Sequence, residues 1–119
     1  RVDFVALDLK LAPERYGELG GPTDAPKRLA DAVAAVHALT PSHEFRTTVV
    51  PGLVHPDDVA AIAELLDPGD TLVLAPFRPG TTLDPRMATA GAPTDALLDR
   101  CVEAAAERGV RCRVRGRVG

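Results

Sequence analysis

Asp8 and Lys10 stand two residues apart at the end of an apolar run, and Arg46 and Arg78 stand in or just after two later apolar runs. Alternate residues of a strand share a face, so Asp8 and Lys10 set an anion beside a cation. Arg46 is costly inside an otherwise apolar strand unless its guanidinium finds a carboxylate or phosphate. Arg78 opens Arg78-Pro79-Gly80 at the end of the third run. Ligands of α/β sheets sit at the carboxyl ends of the strands, so these groups together describe a pocket of net positive charge for a small ligand bearing a carboxylate. Each also has a plainer reading: an Asp8–Lys10 salt bridge at a strand end, Arg46 facing water from an edge strand, and Arg78 as a solvated turn residue.

The elements that must position these groups are legible from periodicity. Val2 to Leu9, with Phe4, Val5 and Leu7 broken by Asp3 and Asp8, has the pattern of a strand buried on both faces. A loop with Pro13, Gly17, Gly20, Gly21 and Pro22 follows. Asp24 then caps a helix with Pro26 in its first turn and an apolar stripe of Leu29, Val33, Val36 and Leu39. Glu44 to Val50 is rich in β-branched and aromatic residues and stops at Pro51-Gly52, giving a second strand. Pro56, Asp57 and Asp58 make the acidic first turn of a helix with the stripe Val59, Ile62, Leu65 and Leu66. Thr71 to Phe77 is a third strand. Thr94 caps a third helix with Leu97, Leu98, Cys101, Val102 and Ala105 inward and Gly109 as its stop, and Val110 to Val114 is a last strand. Such alternation predicts an α/β fold, a parallel sheet with flanking helices and right-handed crossovers. The loop Pro79 to Pro93 is long enough to be functional, for example as cover for a substrate peptide.

Composition bounds the function classes. The 119 residues suffice for one domain, and 45% hydrophobic with 26% charged residues is globular. A net charge of -3 gives no general attraction to nucleic acid or an anionic membrane. No apolar run reaches the roughly 20 residues that span a bilayer, and no signal peptide opens the chain, so the expected compartment is the cytoplasm. Cys101 and Cys112 form neither a disulfide framework nor a CxxC pair and read as ordinary thiols.

The order of the motifs is more specific than any one of them. Asp8-Leu9-Lys10 after a strand, then Glu44-Phe45-Arg46-Thr47-Thr48-Val49-Val50-Pro51-Gly52, then Ala75-Pro76-Phe77-Arg78-Pro79-Gly80 with Leu83-Asp84-Pro85, closely resembles the glycyl-radical-enzyme activating branch of radical S-adenosylmethionine (SAM) proteins. In particular it is similar to the anaerobic ribonucleoside-triphosphate reductase activating proteins, and the match spans essentially the whole chain. The resemblance implies the C-terminal portion of a partial (β/α) radical SAM barrel. In that family a [4Fe-4S] cluster cleaves SAM reductively, and hydrogen is abstracted from a glycine of a partner enzyme. It also implies a glycyl radical enzyme, such as anaerobic ribonucleotide reductase, and an electron donor protein as partners. Carried over by motif, Asp8 and Lys10 take the place of polar contacts to SAM and an associated cation, and Arg46 that of a strand arginine near the methionyl carboxylate. Arg78 stands where related formate-lyase activators have a histidine.

The chain departs from the family in lacking the CxxxCxxC loop whose thiolates hold the cluster; its two cysteines lie eleven residues apart. With Arg1 in place of Met, the expectation is that residues 1–119 are the C-terminal part of a radical SAM domain, without its N-terminal cluster-binding part. Such a piece is inactive alone and exposes a sheet edge. The alternatives are a stand-alone α/β module binding a small anionic ligand without redox chemistry, and a structural paralogue that lost the cluster. His37, His43 and His55 lack the HxxxH spacing of a metal site, and Asp57 and Asp58 read as a helix start. Arg111, Arg113, Arg115 and Arg117 alternate with smaller residues, which puts them on one strand face. That face is either solvated edge charge or a docking surface for an acidic partner.

Overall fold

The computed structural model describes residues 4–39, 43–80, 87 and 89–117. In chain order these form β1 (Val5–Asp8), a 3-10 helix (Pro13–Leu19), α1 (Ala25–Leu39), β2 (His43–Val49), α2 (Pro56–Ala63), β3 (Thr71–Pro76), α3 (Asp95–Ala106) and β4 (Arg111–Val114). The sheet order β1-β2-β3-β4 follows the chain, and every neighbouring pair is parallel. Parallel neighbours require a crossover, and crossovers of a single hand between successive strands stack their helices on one face of the sheet. The expected α/β fold, a parallel sheet with flanking helices, is what the chain forms.

Burial separates the two faces. Along β2 the residues Phe45, Thr47 and Val49 are buried, whereas Glu44 and Arg46 are half-buried and Thr48 is exposed. The buried row joins Leu72 and Leu74 of β3, Val59 and Ile62 of α2, and Leu98, Cys101 and Ala105 of α3 in one core. Fully burying one such aliphatic or aromatic side chain contributes about 1.5–3 kcal/mol. The polar row lies on the face that these helices leave uncovered.

Several elements differ from the expectations in ways that have a physical reason. Val2 and Asp3 lie outside the described residues, and β1 is not buried on both faces: Val5 and Leu7 are half-buried while Ala6 and Asp8 are exposed. It is an edge strand of the described sheet, and Phe4 just before it is 54% exposed. Leu39 is 64% exposed instead of joining the α1 stripe, because a helix with 3.6 residues per turn carries it about 120° round from Val33. Helix α2 stops at Ala63; Leu65 and Leu66 follow in a turn bonded to Ile62 O and Ala63 O, with Leu66 still buried. The four tail arginines do not share a strand face. β4 ends at Val114, and the turn through Gly116, whose φ of 82° favours glycine, sends Arg117 back to Asp99 and Asp95 of α3 at 2.7 and 3.4 Å.

Candidate functional site

The site is built where β1 and β2 end. Their register places Asp8 beside Arg46. One residue on, Leu9 N–H donates to Arg46 O (2.8 Å) and the buried Thr47 hydroxyl donates to Leu9 O (2.8 Å). These bonds keep the departing chain locked to β2. Lys10 N–H then donates to the Tyr16 hydroxyl (2.8 Å), which ties the start of the loop to the 3-10 helix. Asp8, Lys10 and Arg46 thereby converge on one cleft of about 400 Å³, with Thr48 beside them and Val50, Val54 and Phe77 as an apolar wall. A few convergent polar groups over an apolar wall are the usual make-up of a small-ligand site.

The charges on this cleft are unequally committed. Arg46 donates from Nε to Glu44 Oε2 at 2.6 Å, and Arg113 Nη2 donates to Glu44 Oε1 at 3.0 Å. Glu44, itself off the cleft wall, so holds Arg46 by one edge and leaves its Nη groups for another anion. This carboxylate is the partner that a strand arginine was expected to need. Asp8 and Lys10 form no ion pair with each other, and among the described residues neither side chain has an ion-pair partner. The cleft wall carries two cations against one anion, a set of groups chemically able to hold a carboxylate through Lys10 and Arg46 and an ammonium or hard cation through Asp8.

Arg78 is not brought to this cluster. It lines a second groove of about 600 Å³ with Ala92 and Arg115, and Phe77 borders both spaces. Leu83, Asp84 and Pro85 lie outside the described residues, as do residues 81–86 and 88 of the Pro79 to Pro93 loop.

Asp58 had been legible only as a helix start. It is buried and accepts from Ala12 N–H at Oδ1 (3.1 Å), from its helix-start neighbour His55 N–H at Oδ2 (2.9 Å), and from Arg15 Nη1. Arg15 also donates to Leu53 O (3.0 Å) and pairs with Glu18. The carboxylate thus clamps the loop after β1 to the start of α2, and with it Lys10 and Leu19 on the cleft wall. Burial alone raises such a carboxyl, but the His55 and Ala12 N–H groups and the Arg15 guanidinium outweigh it and hold Asp58 below the usual range. No sequence signal ties Asp58 to residues some forty positions upstream.

The thiols lie away from the cleft. Cys101 is buried in the core from α3 and Cys112 is half-buried on β4. Burial pushes the Cys101 thiol up to about 11 and the Cys112 thiol up to about 12. Thiolate is the form that binds metal, so both are poor ligands as placed.

No family model matches the chain, and no curated protein matches it in sequence. Among solved structures, the chain is similar to the crystal structure of a domain of pyruvate-formate lyase-activating enzyme from Bacteroides vulgatus ATCC 8482. The two share 15% sequence identity and a TM-score of 0.61 over 96% of this chain and 68% of that one. At that identity the likeness is one of fold: four parallel strands with flanking helices, arranged as in a domain of an activating enzyme.

Proposed function

We propose that this chain is the SAM-binding part of a radical SAM activating enzyme of the glycyl-radical class. The observation that carries the reading is the convergence of Asp8, Lys10 and Arg46 on one cleft at the carboxyl ends of β1 and β2. The fold likeness to an activating-enzyme domain supports it. Lys10 and the Nη groups of Arg46 bind the methionyl carboxylate, Asp8 accepts from the ammonium, and the apolar wall excludes water from the rest of the ligand. When bound, SAM supplies the 5′-deoxyadenosyl group for hydrogen abstraction from a glycine of the partner. That partner is a glycyl radical enzyme, with anaerobic ribonucleotide reductase the one indicated by the motif order, and an electron donor protein completes the system.

This chain's own thiols do not fit a [4Fe-4S] cluster. The sequence has no CxxxCxxC, Cys101 is closed off in the core, and burial keeps both groups protonated. On the proposed reading the cluster ligands are supplied from outside residues 1–119, and the chain alone carries out no reductive cleavage. No described helix is long and apolar enough to cross a membrane.

Calorimetric titration with SAM and with 5′-methylthioadenosine, which lacks the amino-acid moiety, tests the reading. A hydrogen bond to a charged group contributes about 1.5–3 kcal/mol, so Lys10→Ala and Arg46→Ala each weaken SAM binding by about ten- to a hundredfold and leave 5′-methylthioadenosine unaffected. Equal losses for both ligands, or no SAM binding by wild type, overturn it. Binding of a small carboxylate lacking the adenosyl group, with the same dependence on Lys10 and Arg46 and without SAM binding, assigns the cleft to a non-redox anion-binding module instead.

A further inference from the structure

At the opposite end of the sheet the fold assembles a second group of chemically able side chains. His37 comes from the last turn of α1, His43 opens β2, and Asp70 immediately precedes β3. His37 Nε2 lies 2.8 Å from Asp70 Oδ2 and His43 Nε2 lies 3.0 Å from Asp70 Oδ1. Both imidazoles thus aim the same nitrogen at one carboxylate, an oxygen apiece. Asp70 is buried and its Oδ2 also accepts Asp67 N–H at 2.7 Å. Phe45 meets both rings edge-on, at centroid distances of 5.7 and 5.4 Å, and the two imidazoles meet each other edge-on at 5.1 Å. The rings are therefore oriented by packing as well as by the carboxylate.

We infer that His37, His43 and Asp70 form a binding site for zinc or a similar borderline divalent cation, with Asp67 at its rim as a fourth donor. One ligand atom from each of the three residues falls within 4.8 Å of the others. Tetrahedral zinc with bonds of about 2.0–2.1 Å needs donor atoms about 3.3–3.4 Å apart, so closure about the ion takes only small side-chain shifts. The Asp67 carboxylate lies 3.8 Å from His37 Nε2 and is mostly exposed, which lets it swing inward. Two imidazoles with carboxylates suit zinc, cobalt or nickel better than calcium or magnesium, which prefer all-oxygen shells. Uptake replaces the two imidazole-to-Asp70 hydrogen bonds with bonds to the metal while Asp67 N–H continues to orient the carboxylate, the outer-shell support such ligands require.

Its position makes the site structural. Along β2 (His43–Val49), a rise of about 3.3 Å per residue puts His43 about 10 Å from Arg46 and about 17 Å from Thr48 on the cleft wall. In barrel folds that end of the strands serves stability and the carboxyl end serves chemistry. The bound ion pins the end of α1 to the starts of β2 and β3. Sequence spacing could not show this, because the three ligands come from three separate elements.

The test is a titration of the chelator-stripped full chain with zinc, alongside cobalt as a spectroscopic reporter. One zinc binds per chain, the cobalt form shows the intense visible absorption of a tetrahedral centre, and the melting temperature rises on zinc addition. His37→Gln and His43→Gln each weaken zinc binding at least about tenfold and remove the thermal shift, with folding checked by circular dichroism. Cys101→Ser and Cys112→Ser leave binding intact. Absence of a one-to-one step in wild type, an octahedral cobalt spectrum, or uptake that survives both histidine substitutions overturns the assignment. The wild-type titration and cobalt spectrum decide the matter even where a variant fails to fold.

Discussion

Replacing Asp58 by Ala removes one acceptor from three donors that belong to different parts of the chain, and the loss can be worked out bond by bond. The buried Ala12 N–H loses a charged acceptor, at about 1.5–3 kcal/mol. The His55 N–H at the start of α2 loses its cap, at about 1 kcal/mol. The Arg15 guanidinium is partly exposed and retains Glu18, so its share stays below about 1 kcal/mol. The total of about 3–5 kcal/mol matches breaking one partner of a buried ionic group and lowers the melting temperature by about 10–20 °C for a chain of this size. Asp58→Asn keeps the volume and one acceptor oxygen and loses roughly half as much. The acid side gives a second readout. A carboxyl held below its ordinary value when folded contributes stability above its unfolded pKa of about 3.9 and loses it as pH falls through the folded value. Urea melts of wild type therefore show a stability loss below about pH 4 that Asp58→Ala lacks. A variant within about 1 kcal/mol of wild type at pH 7, or one with an unchanged acid slope, refutes the clamp.

The other expectations follow from the same geometry. Glu44→Gln takes the charge from the group that holds Arg46 and Arg113; stability falls by less than about 1 kcal/mol while SAM affinity drops severalfold, and calorimetry showing full affinity separates Arg46 orientation from Glu44. Arg78→Ala leaves SAM affinity unchanged, since Arg78 lines the neighbouring groove; a loss equal to that of Arg46→Ala places Arg78 on the ligand. With thiols pushed up to about 11 and 12 by burial, both cysteines react with Ellman's reagent at pH 8 only after denaturation, and rapid labelling of Cys112 in the native chain contradicts its placement.

Legibility in the sequence followed the range of the interactions concerned. The elements were readable because their signals are local: the β-branched run at Thr47 to Val50, the Thr94 cap whose hydroxyl accepts Leu97 N–H at 3.1 Å, and the stop at Gly109 with φ of 81°. The cleft was partly readable because Asp8 and Lys10 sit at or just past the end of β1, and the costly Arg46 in the middle of β2 is brought beside Asp8 by parallel pairing in chain order. Arg78 met the same rule and still fell into the next groove, since the position of a residue past a strand end depends on the path of the loop. Glu44 as the holder of Arg46 was hidden by its ordinary appearance at a strand start. Asp58, and His37 with His43 and Asp70, were out of reach because their partners lie 27 to 46 residues away in the chain.

The uncovered face of the sheet carries the strongest constraint on what surrounds this chain at work. Asp8, Arg46 and Val73 are laterally paired across β1, β2 and β3, Val73 pairs in turn with Arg113 on β4, and Glu44 bridges the two arginines. A second helical layer packed on that face would have to desolvate this row, at several kcal/mol per ion, unless every charge found a partner. Asp8 and Lys10 have none among the described residues. A ligand-filled lumen meets the requirement without that penalty, because a zwitterion supplies its own carboxylate to Lys10 and Arg46 and its own ammonium to Asp8. The same row that makes the face unfit for an apolar layer suits the amino-acid end of a ligand such as SAM, so the double variant Lys10→Met, Arg46→Met should lose SAM at a stability cost below about 1 kcal/mol, since Arg113 still pairs with the Glu44 carboxylate that Arg46 leaves. A double variant that is clearly destabilised shows that these cations serve the fold instead of a ligand.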